Sequence, residues 1–115
     1  IHMYDKKHVG LVQQFAGMIM DDLRNQALHH DEDKKTADKH DEKNLPRHHW
    51  LVTNRSDVTL LDVAEAIADN LAGAAEYGDD IRFPISKKWD GVKPIIENTI
   101  HKYRPSAKIT WVRTR

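Results

Sequence analysis

The sequence predicts an all-α protein, a compact bundle of about four to five helices with a short C-terminal tail. Three observations carry that expectation. Apolar residues recur at steps of three and four along three separate stretches. The intervals between them are strongly polar or broken by Gly and Pro. At 115 residues the chain suits one domain with one modest core. That domain is expected to span residues 3–115, since Ile1 and His2, ahead of Met3, read as an expression remnant.

The first helix is expected from Asp5 to Leu28. Val9, Val12, Ala16, Ile19, Leu23 and Ala27 form one apolar stripe, widened by Phe15, Met18 and Met20. Gly10 and Gly17 each weaken this helix by roughly 1 kcal/mol relative to Ala. His8 lies beside the stripe, and Asp22, fourteen residues on and close to four turns later, shares its face. From His29 to Pro46 nearly every side chain is charged or polar, the signature of a solvated loop. Pro46 ends any helix before it, and Arg47 to Val52 turns apolar again as a short helix or extended segment.

Thr59 to Tyr77 gives the strongest helical signal. Thr59 with Asp62 resembles a capping box, and Gly78 is a natural stop. Leu60, Val63, Ala64, Ile67, Leu71, Ala74 and Ala75 form the buried stripe, while Asp62, Glu65, Asp69 and Glu76 form a second, acidic one. Asp79, Asp80 and Pro84 read as a continued break. Another helix is expected from Ser86 to Tyr103, regular after about Lys93 and ended by Arg104-Pro105. Ala107 to Arg113 alternates weakly, as a short strand or a tail packed by Trp111.

Composition narrows the function classes. Eighteen basic residues balance eighteen acidic ones, so there is no strong nucleic-acid signal, and no apolar run approaches a membrane span. Cysteine is absent, which excludes disulfides, thiolate metal sites and cysteine nucleophiles, and fits a cytoplasmic protein. Histidine is abundant, with seven left once His2 is set aside.

The chemistry centres on His30-Asp31, where the apolar first stretch gives way to charge. An imidazole beside a carboxylate offers one neutral nitrogen and one anionic oxygen, a mix suited to Mn, Fe, Zn, Co or Ni. Further donors stand upstream at His8 and downstream at His40, His48, His49 and Asp69. The order His8, His30-Asp31, Asp69 resembles the HD superfamily of metal-dependent phosphohydrolases, whose motif H…HD…D gathers donors from different helices around a metal. The pieces His30-Asp31-Glu32-Asp33-Lys34, His40-Asp41-Glu42-Lys43-Asn44, His48-His49-Trp50 and Glu76-Tyr77-Gly78-Asp79 are most similar to a small uncharacterised HD-like family of phage and bacterial genomes. Asp69 comes after the pair at a shorter interval than is usual, and Asp33 stands where that family often has a small hydroxyl residue.

The resemblance implies an HD-like bundle that binds one or two divalent ions and hydrolyses a nucleotide or small phosphate ester in the cytoplasm, that of the bacterial host if the protein is phage-encoded. It implies metal ligation by His8, His30, Asp31 and Asp69, with His40 and His49 completing a second site. Asp31 would bridge the ions, Lys34 would contact phosphate, and Glu65 would orient a ligand from behind. Two alternatives stay open: a di-iron oxygenase on the same layout, and a non-catalytic, phage-encoded helical binding or inhibitor protein. A homodimer through the Trp111-bearing tail is also compatible. Against each metal role stands a plain one. His8 and His40 would be solvated surface residues, Asp69 the wet side of its helix, Trp50 and Trp89 core, and His101 a helix-end cation.

Overall fold

The structure is a computed structural model, in which residues 4–31 and 57–114 are described. Asp5 opens the first helix by accepting the Lys7 N–H at 2.9 Å, and α1 runs unbroken over Lys6–Leu28. Thr59 caps α2, Leu60–Tyr77, and its own N–H donates to the Asp62 carboxylate at 2.9 Å, the reciprocal half of a capping box. Gly78 then takes φ of 122°, a conformation that side chains resist, and turns the chain sharply away from α2.

Beyond Gly78 the chain departs from the all-α expectation and corrects it. Asp80–Ser86 is a strand, β1, and Lys108–Thr114 is a second strand, β2, paired with it in parallel from Asp80↔Lys108 to Ser86↔Thr114. Between them a 3-10 turn over Lys87–Val92 leads into α3, Lys93–Tyr103, with Pro94 in its first turn. Parallel strands need such a crossover, so the expected last helix survives in part as the connection of a β-α-β unit. The described residues thus hold three α-helices and a two-stranded sheet, not a bundle of four to five helices.

β1 was hidden by its own breakers. Ile81, Phe83 and Ile85 alternate at strand period and are all buried, whereas Asp80, Arg82 and Pro84 face outward. Proline lacks an N–H, and a strand with one partner leaves its other edge free of ladder bonds, so Pro84 is tolerated there.

The core lies between α2, α3 and the inner face of the sheet. Phe83, Ile85, Ile96 and Ile100 are fully buried, joined by Ala66, Ile67, Ala74, Ile81 and Ala107. Phe83 and its register partner Trp111 meet with ring centroids 4.9 Å apart and tilted by 45°. The Trp111 indole N–H donates to Glu97 at 2.6 Å, which fixes the tail to α3. Trp111 is therefore packed against the core and not carried on a free tail. Trp89 packs against the same core, as expected. His101 donates through Nε2–H to the Ala107 carbonyl at 2.9 Å, and so ties the end of α3 to the start of β2. No described helix is long and apolar enough to cross a membrane.

α1 departs from expectation differently. Its boundaries match, but none of its residues is buried. Its apolar stripe meets α2 only near its C-terminal end, where the candidate site lies.

Candidate metal centre

The site forms where the end of α1 crosses the first turns of α2. The spacing Asp62, Glu65, Asp69 stacks three carboxyls on one face of α2. Gln26 and His30, four apart, project from the end of α1 toward that face. Helix α1 stops at Leu28, and the His29 and His30 N–H groups close the last turn on Gln26 and Ala27 carbonyls, at 3.3 and 3.0 Å. Asp31 then adopts φ of 54°, the left-handed region that Asp tolerates better than most residues, at a cost of about 1–2 kcal/mol. That bend turns its carboxylate back toward His30.

The resulting contacts are specific. His30 Nδ1 lies 2.7 Å from Glu65 Oε2, and His30 Nε2 lies 3.0 Å from Asp69 Oδ1 and 3.4 Å from Asp31 Oδ2. The Gln26 amide donates to Asp62 Oδ1 at 2.9 Å and to Glu65 Oε1 at 2.7 Å. Asp62 and Glu65 are buried, His30 and Asp31 partly so, and Asp69 is exposed. The acidic stripe is therefore turned toward α1 at Asp62 and Glu65, not bathed in solvent along its length. Burial disfavours the charged imidazolium of His30. The hydrogen bond to Glu65 and the charges of Asp69, Asp31 and Glu65 together outweigh it, and its pKa rises above the ordinary histidine value.

Beside these groups opens a cleft of about 520 Å³, lined by His30, Asp31, Glu65 and Asp69 and floored by the small residues Ala68 and Ala72. A second cleft of about 380 Å³ shares Asp69 and reaches Arg82 on β1.

Of the residues singled out from the sequence, His30, Asp31, Glu65 and Asp69 come together here. His8 does not. It is exposed in the first turn of α1, and twenty residues of continuous helix put it about 30 Å from Leu28. The H…HD arrangement assumes that the two histidines ride on different helices, and here one straight helix holds them apart. Lys34, His40, His48, His49 and Trp50 lie outside the described residues. Sequence reasoning missed Gln26, although its place one turn before His30 on the same face was readable, and it missed Arg82, hidden in the unrecognised strand.

Among the described residues no three His, Asp or Glu side chains stand ready-made to hold a metal. The donor chemistry nevertheless fits an ion at His30 Nε2. Ligands about 2.1 Å from one ion stand roughly 3.0–3.4 Å apart in octahedral or tetrahedral geometry. The separations from Nε2 to Asp69 and Asp31 are 3.0 and 3.4 Å. Glu65 holds the opposite ring nitrogen, as carboxylates commonly do behind a metal-bound histidine.

Comparison with protein-family models, curated proteins and solved structures returns no match.

Proposed function

We propose that this protein is a metal-dependent phosphohydrolase acting on a nucleotide or other small phosphate ester. One observation carries the reading: His30 has one ring nitrogen clamped by buried Glu65 and the other facing the Asp31 and Asp69 carboxylates at the mouth of an open cleft. His30, Asp31 and Asp69 are the residues that would hold a divalent Mn, Fe, Zn, Co or Ni ion. Such an ion, when bound, supplies an activated water and a Lewis acid for the phosphoryl oxygens.

The chain's own residues do the positioning. Glu65 accepts the Nδ1 proton and would so leave the Nε2 lone pair for an ion, while Gln26 holds the other Glu65 oxygen and prevents the carboxylate from swinging. Ala68 and Ala72 leave room for an ester beside Asp31 and Asp69. Arg82 lines the adjoining cleft and would take the negative charge of a phosphoryl group.

The test is metal content of the full chain by plasma mass spectrometry, with hydrolysis of a panel of nucleotides and phosphate esters, for wild type, Asp31→Ala and Glu65→Gln. About one or two ions per chain with measurable hydrolysis is expected, both lost in Asp31→Ala. Equal metal content in wild type and Asp31→Ala would sink the assignment. Bound iron with oxygen consumption would move the reading to a di-iron oxygenase.

A second reading has its own observation. With both ring nitrogens against carboxylates, His30 also serves as a charged clasp between α1 and α2, the arrangement of a non-catalytic helical module. No metal after supplementation, with a stability loss in Glu65→Gln, is the result this reading predicts.

A further inference from the structure

The apolar stripe of α1 divides at Leu23. From there on, α2 takes it over through Gln26 and His30. Before it, Leu11, Val12, Phe15, Met18 and Ile19 are each 45% to 57% exposed on the same face. Isolated exposed apolar residues are ordinary, but five on one face at helical spacing form a patch that water disfavours.

We propose that this face pairs with the same face of a second copy of the chain, antiparallel, about a two-fold axis near Phe15. The charge pattern of α1 selects that occupant and that direction. Lys6 and Lys7 open the helix, and Asp21 and Asp22 lie four turns later. At 3.6 residues per turn, Lys7 and Asp21 fall on the flank beside Leu11 and Met18, and Asp22 falls just inside that edge of the stripe, between Leu11 and Phe15. A two-fold at Phe15 sets Leu11 opposite Ile19, Val12 opposite Met18 and His8 opposite Asp22, with Lys7 beside the Asp22 of the other copy. Flanks of the same side meet in an antiparallel pair, so each basic end faces an acidic one, twice over by symmetry. In a parallel pair the same flanks lie on opposite sides of the interface, so Lys7 would meet no acidic end and Asp22, near the centre of the face, would meet the Asp22 of the other copy.

The area suffices for association. Half-exposed side chains of this size offer on the order of 100 Å² each, so the two faces together bury roughly 1,000 Å², about the lower bound of a specific interface. The paired stretch ends where α2 begins to cover the stripe, so the metal centre lies outside it. The inference does not rest on the metal reading.

Sedimentation equilibrium of the full chain, from micromolar to several hundred micromolar, tests it. Wild type is expected to dimerise. Phe15→Glu, which removes no buried contact, is expected to be monomeric with unchanged helical circular dichroism. Lys7→Glu and Asp22→Lys each raise the dimer Kd at low salt by about tenfold, and the double variant regains most of that loss. A wild type that stays monomeric throughout overturns the proposal, whether another segment of the chain or a different protein then covers the face. So does a dimer indifferent to Phe15→Glu, and failure of the double variant to recover overturns the antiparallel register.

Discussion

The two interfaces of α2 are built from opposite materials. Toward the sheet and α3 it presents Ala66, Ile67 and Ala74 to a dry core with Phe83, Ile96 and Ile100. Toward α1 it presents Asp62 and Glu65 to an amide and an imidazole. Apolar burial is non-directional and stabilises in proportion to area, whereas a polar contact is directional and yields little net free energy, since water would serve the same groups. The first interface therefore holds the fold and the second sets the position of one helix end. Conformational freedom and function are expected on the α1 side.

That contrast can be broken at its strong side first. Phe83→Ala should cost about 3–5 kcal/mol and Ile96→Ala about 2–5 kcal/mol, through lost burial and the cavity left behind. Urea denaturation measures both, and losses near those of surface substitutions would mean that the core is not where this fold places it.

At the clasp the effects are smaller. Glu65→Ala should cost about 1–3 kcal/mol, because the Gln26 and His30 donors lose a buried acceptor. Its loss of amide protection should fall on the last turns of α1, with α3 untouched. Equal deprotection of α3 would show that the two interfaces are one cooperative unit.

Asp31→Gly separates stability from function. It relieves the left-handed backbone and should leave the metal-free protein unchanged or up to about 1 kcal/mol more stable, while removing a proposed ligand. Melting with chelator present, beside metal titration, reads both effects. A clear destabilisation would mean that the carboxylate, not the turn, matters to the fold.

Acid and alkali should probe the two regions separately. The raised His30 pKa means that its clasp contributes fully below the ordinary histidine value of 6.5, and that this contribution is lost as pH rises through the raised folded value. In the β-α-β unit the signs reverse. A hydrogen bond from Arg104 lowers Asp79, and one from Arg113 lowers Asp90, which Arg113 grips at 2.8 and 3.1 Å. Their contribution is present above the ordinary carboxylate value of 3.8 and is lost as pH falls through the lowered values. Chelated protein should thus loosen at α1 first in alkali and at the sheet ends first in acid, as hydrogen exchange corrected for intrinsic rates would show. His101→Ala should cost about 1 kcal/mol through the lost bond to Ala107 and leave metal affinity unchanged.

The elements legible in the sequence are those written by local chemistry. Asp5, Thr59 with Asp62, and Gly78 mark helix ends because caps and stops act within a few residues, and α1 begins, and α2 begins and ends, where those signals stand. The weak alternation after Ala107 is β2. The acidic triplet was visible as helical spacing, and His30-Asp31 as a juxtaposition of donors.

Tertiary structure decided what local signals leave open. β1 exists because β2, brought round by α3, completes its ladder, which overrides Asp80 and Pro84 as breakers. Whether Asp62, Glu65 and Asp69 faced water or a partner depended on where the end of α1 was placed, and that placement gave Glu65 to His30 and revealed Gln26. It also removed His8, since sequence order records that donors succeed one another but not that an unbroken helix keeps two of them apart. Hydrogen-bonding range is a few ångströms while the separation along the chain is tens of residues, so only the packed chain determines which donors meet.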